Sequence, residues 1–385
     1  ILITSYFSLF LAEIFIIKFN ISSSKDIKIL ISSIKNNVDY DFRDRVQIYK
    51  DLKLENKNFT LTISGSNFIE TDGIVINDQR YFPLSGIGNI ETVYCNESGK
   101  YSKYKSDKHG FNNDNKIWGL EKIDWVIIGD SFAHGACVSK DENFASRIEY
   151  YTNEKALNLG YSGNGPLMSY ATSKEYLENK NLNKVIYFYY SGNDLQDLEY
   201  ELNSSVLKNY LSKDFSQNLN NFSTKEKIDI KLKEFIEKKY DKSVKYNFFQ
   251  NLKLIKLRDK FINRIILQSK KEKKELSKKK LDQIIYLKKI IENLNEIVAL
   301  NSGKLYFVYL PSFNNIDTNL KDVEFEKEMI KEILSTKKIE FLDIHNLFLK
   351  EKNPKKYFPF NEYGHYNKEG YDFISNYIVN KINLN

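Results

Sequence analysis

The sequence predicts an α/β fold built on a parallel sheet, and three observations carry that expectation. From Lys122 onward, short runs of apolar residues are bounded by turn-formers, as expected for strands buried on both faces. Segments with helical apolar spacing alternate with those runs, the rhythm of an α/β chain. The chain has 385 residues, 42% of them hydrophobic and 14% aromatic, enough for a sizeable core.

The elements follow in order. The first residues, Ile1 to Ile17, are almost wholly apolar apart from Glu13. About 20 apolar residues span a bilayer as a helix. No small-residue cleavage site follows the run. Residues 1–20 therefore read first as an uncleaved membrane anchor (a transmembrane helix), then as a signal peptide, then as a buried helix. Residues 21–56 are polar, a linker with some helix. Residues 57–121 read as a β-rich N-terminal extension. There Thr60–Ser64 and Ile74–Ile76 alternate with period two among glycine, proline and asparagine.

Residues 122–385 hold the main domain. Strands are expected at Trp125–Ile128, Lys155–Leu159, Val185–Tyr190, Leu305–Leu310 and Ile339–Leu342. Helices are expected near Glu142–Tyr151, Leu167–Glu178 and Lys368–Ile382. About 110 residues separate the third and fourth strands, far more than a normal crossover. Leu281–Leu300 has Ile284, Ile285, Leu287, Ile290, Ile291 and Leu294 at helical spacing and reads as the crossover helix. Residues of about 203–280 are then a helical insertion.

Charge and cysteine content exclude some classes. The net charge of +7 is spread through the chain, and the one dense basic run, Lys270–Lys280, is broken by Glu272 and Glu275. A solvated helix face accounts for it, and no nucleic-acid partner is expected. Two cysteines and four histidines show no ligand-type spacing, so neither a metal nor a cofactor is expected. Cys95 and Cys137 read equally well as a disulfide or as two free thiols.

Chemistry concentrates at four strand ends. The first strand runs into Gly129-Asp130-Ser131-Phe132, where Ser131 fits a helix N-cap and a nucleophile equally. The second ends in Gly160-Tyr-Ser-Gly163-Asn-Gly165-Pro166, a loop whose backbone can approach a ligand. The third ends in Ser191-Gly-Asn193-Asp194, whose asparagine amide can donate to an oxyanion or hold a turn. After the fifth comes Glu362-Tyr-Gly-His365-Tyr-Asn-Lys-Glu-Gly-Tyr371, with His365 the natural general base.

Taken together, GDSF, SGNGP, SGND and HYNKEGY, in this order over about Lys122 to Ile382, resemble the SGNH (GDSL-type) hydrolase superfamily. The phrases Phe82–Ser85, Ser106–Phe111 and Gly129–Cys137 look like a membrane-associated, bacterial-type subgroup of it. The resemblance implies a flavodoxin-like, three-layer α/β/α domain with a five-stranded parallel sheet of order 2-1-3-4-5. It implies Ser131 as nucleophile, His365 as base, and an oxyanion hole from Ser131 N–H, Gly163 N–H and the Asn193 amide. The family's aspartate, three residues before the histidine, is here Glu362. Asp343 and a Ser–His dyad are the alternatives for the acid.

The expected activity is acyl transfer through an acyl-serine, as an esterase on an O-acylated (acetylated) cell-envelope carbohydrate. An O-acyltransferase to a glycan hydroxyl is the alternative, and a non-catalytic binding or scaffold protein the second. The expected partners are an acylated small molecule or glycan and, through the N-terminal helix, a membrane. The location expected from these is membrane-anchored, with the catalytic domain periplasmic or extracellular.

Overall fold

A computed structural model describes residues 2–19, 24–55, 58–241, 254, 276–318, 321–362 and 364–384. Three helices come first: α1 (Leu2–Lys18), α2 (Ser24–Lys35) and α3 (Arg45–Leu54). A capping box starts α3, with the Asp44 carboxylate accepting from Gln47 N and the Gln47 side chain accepting from Asp44 N. The strands β1 (Phe59–Leu61), β4 (Glu91–Val93) and β5 (Lys103–Lys105) form a small sheet of order β1-β4-β5. A separate hairpin pairs β2 (Ile74–Ile76) with β3 (Gln79–Tyr81).

The main sheet is made of β6 (Lys122–Ile128), β7 (Ala156–Asn158), β8 (Asn181–Tyr190), β9 (Lys304–Leu310) and β10 (Glu340–Asp343). All pairings are parallel and the spatial order is β10-β9-β8-β6-β7. Counted from β6, that is the order 2-1-3-4-5, so the fold is the flavodoxin-like α/β type. Side chains alternate across β6, which divides the core. Val126 and Ile128 join an apolar cluster with Leu287, Ile291 and Leu294 of α10 (Leu276–Leu300), the crossover helix. Ile127 and Trp125 join another with Phe144 and Ile148 of α5 (Phe144–Thr152) and with Ile374 and Ile378 of α13 (Lys368–Asn383). Helices α6 (Pro166–Tyr176), α8 (Ser205–Asn209) and α11 (Lys321–Thr336) add to the first cluster, so helices cover both faces, as a parallel sheet requires. Of the apolar positions expected to face inward on α10, Ile285 is exposed and the others are buried.

The N-terminal β-segments share the first of those cores, through Leu61, Ile63 and Val93. Helix α9 (Phe222–Asp241) is part of the expected insertion and packs over them. Its buried Lys225 donates to Gly86 O at 2.8 Å and pairs with Asp229. Much of the rest of that insertion, 242–253 and 255–275, lies outside the described residues.

One expectation is overturned. Among the described residues, no helix is long and apolar enough to cross a membrane. Within α1 the apolar residues are broken by Thr4, Ser5, Ser8 and Glu13. The transmembrane helix, and the membrane-anchored location drawn from it, are corrected accordingly.

Candidate active site

The sheet order puts β6 between β7 and β8, so the three loops after these strands stand side by side at its carboxyl edge. This is where open α/β folds gather their chemistry. Gly129 ends β6 with φ +146°, and a β-carbon there would meet Phe188 O at 2.7 Å. The tight approach of the turn to β8 therefore depends on glycine. The next helix, α4 (Ser131–His134), is capped by Asp130, whose carboxylate accepts from Phe132 N at 2.9 Å. Capping is thus the work of Asp130, and the Ser131 hydroxyl is available for another partner.

That partner is His365, whose Nε2 lies 2.8 Å from Ser131 Oγ. The imidazole comes from the loop before α13 and packs on the Phe132 ring at 4.8 Å between centroids. On its other side stands Glu97. The Glu97 carboxylate accepts from His365 N at 2.6 Å and lies 3.3 Å from His365 Nδ1. A proton on Nδ1 satisfies both ring contacts: Nδ1–H donates to Glu97, and Nε2 accepts from Ser131. Gly364 makes room for this, since a β-carbon there would fall 2.6 Å from Glu97 Oε2.

Glu362, expected behind the imidazole, turns elsewhere. Its carboxylate pairs with Lys28 of α2 at 3.2 Å. Asp343 is engaged as well: it caps α12 (Ile344–Phe348) through Asn346 N and pairs with the buried Lys327. The carboxylate that meets the imidazole comes instead from the turn between β4 and β5, 268 residues away in sequence.

Sequence reasoning missed Glu97 because no motif surrounds it. It also left Cys95 and Cys137 open; they form a disulfide. Glu97, Cys137 and His365 place ligand-type atoms within 4.8 Å of one another. With the Cys137 sulfur bonded to Cys95, that group lacks the thiolate a metal would take.

The other expected residues are placed as follows. Gly163 sits in the loop after β7 with φ +74°, and a β-carbon there would run into the Ser64 hydroxyl. Asn193 stands at the start of α7 (Asp194–Glu201), donating from Nδ2 to Asp197 Oδ2 at 2.6 Å. That bond uses one amide hydrogen and leaves the other.

A group of buried carboxyls lies beneath these loops. Burial pushes Asp130 up to about 6 and, with the charge of Asp130 added, Asp197 up to about 7. Burial raises Asp194 and Glu201 well above the usual carboxylate range, with neighbouring carboxylates adding to the shift.

His134 is fully buried between the Tyr94 and Tyr161 rings, stacked at 4.6 and 4.9 Å. Burial lowers it to about 3, so it is neutral, and its Nδ1 accepts from Ser162 N at 3.3 Å. It thereby holds the loop that carries Gly163. His109 packs between Trp118 and Tyr176, and His345 lies against Lys327 and Asn315 O. Both are parts of the packing.

No protein-family model matches the chain, and no curated protein does. Solved structures with similarity include a lipolytic protein of the G-D-S-L family from Desulfitobacterium hafniense DCB-2. It is 12% identical, with 68% of this chain and 99% of that one covered and a TM-score of 0.36. An acetyl xylan esterase is 11% identical, with 68% and 100% covered and a TM-score of 0.38.

Proposed function

We propose that the chain is a serine-dependent ester hydrolase working through an acyl-serine intermediate. The observation that carries this reading is the 2.8 Å contact between Ser131 Oγ and His365 Nε2 at the carboxyl edge of the sheet. His365 takes the hydroxyl proton as Ser131 attacks the ester carbonyl, and returns it to the leaving alcohol. Glu97 holds the Nδ1 proton and offsets the imidazolium charge that forms. Ser131 N–H, Gly163 N–H and the free hydrogen of the Asn193 amide are the proposed donors to the oxyanion. Water, activated by the same imidazole, then releases the acid. A hydroxyl acceptor in its place makes the same site an acyltransferase.

The substrate proposed is an O-acyl ester with a short acyl group, such as an acetylated carbohydrate. The cell-envelope part of the earlier expectation leaned on the anchor and falls with it. The test is labelling by a fluorophosphonate probe together with hydrolysis of p-nitrophenyl acetate. Wild type labels and turns over; Ser131→Ala does neither. Absence of label on wild type favours the non-catalytic scaffold, and full activity in Ser131→Ala removes Ser131 from the mechanism.

A further inference from the structure

We infer that the Cys95–Cys137 disulfide is the device that holds Glu97 against His365, placing the site under thiol–disulfide control. The inference rests on the acyl-serine reading above. Cys95 lies two residues before Glu97, on the turn between β4 and β5. Cys137 lies six residues after Ser131, at the end of the nucleophile turn, and its Sγ is 4.0 Å from His365 Nδ1. The crosslink thus ties the segment that bears the acid to the segment that bears the nucleophile, with the base between them.

Three further hydrogen bonds of the turn lead to another segment. Asn96 Nδ2 donates to Asp41 O at 2.9 Å, Asp41 N donates to Gly99 O at 2.8 Å, and Tyr40 Oη donates to Asn96 O at 3.2 Å. These hold the tip to residues 40–41 and not to α4. The strands behind the turn stay docked on His134 through Tyr94 and Tyr104. Cleaving the disulfide therefore removes the covalent tie between the Glu97 turn and the segment after Ser131, while the sheet keeps its place.

Cys137 is 6% exposed and Cys95 half-buried, so an attacking thiolate must approach through the space beside the bond. A cavity of about 640 Å³ opens beside it, lined among others by Ser98, Tyr101, Ser102, Cys137 and Phe360. Cys137 also has φ +61°, a conformation disfavoured for a residue with a β-carbon.

The reductant is a dithiol. One of its thiolates attacks a sulfur of the pair and breaks the S–S bond, giving a mixed disulfide and one free cysteine thiolate. Its second thiol then displaces the other cysteine. The dithiol leaves as a cyclic disulfide, oxidised by two electrons, and Cys95 and Cys137 each gain a proton.

Cys95 and Cys137 are positioning residues, so the test reads kcat apart from KM and asks whether the effect passes through Glu97. The probes are dithiothreitol and p-nitrophenyl acetate, with reduction verified by titration of two thiols. Reduced wild type is expected to lose about tenfold in kcat with KM little changed. Cys95→Ser/Cys137→Ser is expected to show the lowered rate without reductant, and reoxidation to restore wild type alone. Glu97→Gln is expected to respond less than twofold to reductant, because the contact the disulfide serves is already weakened there.

A rate unchanged in fully reduced wild type overturns the inference, as does an equal loss on reducing Glu97→Gln, which marks a general effect on the fold. Fluorophosphonate labelling of the oxidised protein separates the two levels. Label present with a redox-insensitive rate sinks only the disulfide's role, whereas label absent sinks the enzymatic reading and this inference with it.

Discussion

Replacing Glu97 with glutamine separates the carboxylate observed behind His365 from the one its motif position suggests. Glu97 receives two contacts from His365, one from the backbone N–H at 2.6 Å and one at Nδ1 at 3.3 Å, and its side chain is only 17% exposed. Glutamine keeps an acceptor oxygen but loses the charge. A hydrogen bond to a charged group contributes about 1.5–3 kcal/mol and a neutral one about 0.5–1.5. The difference, roughly 1–1.5 kcal/mol, is about a 5–13-fold fall in kcat/KM. Glu97→Ala removes the acceptor of both contacts, and about 100-fold is expected. Glu362→Gln breaks only an ion pair to Lys28, a lysine side chain 60% exposed, and such pairs contribute about 0–1 kcal/mol. Its kcat/KM is expected to stay within about twofold of wild type. The assay is p-nitrophenyl acetate hydrolysis at fixed pH and salt, with melting curves to show that each variant is folded. A silent Glu97→Gln beside a strongly impaired Glu362→Gln would refute the assignment of Glu97.

Asp197 gives a pH signature. Its carboxyl is raised from 3.8 to about 7 in the fold, so the folded state holds its proton where the unfolded chain has released it. The stability this contributes is complete below about 4 and is lost as pH rises through about 7, of order a few kcal/mol. Asp197→Asn removes that dependence, so its melting temperature should match wild type near pH 4 and exceed it near pH 8; parallel profiles would rule this out. Gly163→Ala puts a β-carbon at φ +74° and against the Ser64 hydroxyl, costing about 1–2 kcal/mol for the backbone alone and displacing the N–H proposed for the oxyanion. Ser64→Gly added to it should recover part of kcat/KM by restoring the space; full activity in Gly163→Ala would remove Gly163 N–H from the oxyanion hole.

The legible parts of this fold are those that local physics writes into the chain. Trp125–Ile128 reads as a strand because it is buried on both faces. The strand in fact begins at Lys122, and β8 at Asn181. Those leading residues pair in the ladder without an apolar pattern to announce them. The ambiguity at Ser131 was local and had a local answer: its neighbour Asp130 takes the cap. The apolar run at α1 was misleading because apolar composition alone does not say what covers a helix: Phe7, Leu9, Leu11 and Phe15 stand exposed, and Glu13 is buried. Glu97 was illegible for a different reason. Its contact with His365 exists only once residues 91–105 dock beside the main sheet, and neither the spacing to Cys95 nor any repeat predicts that docking.

Glu97 and the Gly163 loop arrive beside Ser131 from separate segments, and besides the disulfide His134 packs against both of those segments. Its two faces are covered by Tyr94, next to Cys95, and by Tyr161, which opens the Gly163 loop. Its Nδ1 accepts from Ser162 N at 3.3 Å, which requires an imidazole with a free lone pair. Burial supplies that condition by lowering the group to about 3, so the bond persists throughout the neutral range. The same ring therefore seats the hairpin that delivers Glu97 and holds the backbone that presents Gly163. A histidine one turn after a nucleophilic serine invites a catalytic reading. In this chain the ring is walled in by two tyrosines, and its contacts bear on where the Glu97 hairpin and the Gly163 loop stand relative to Ser131.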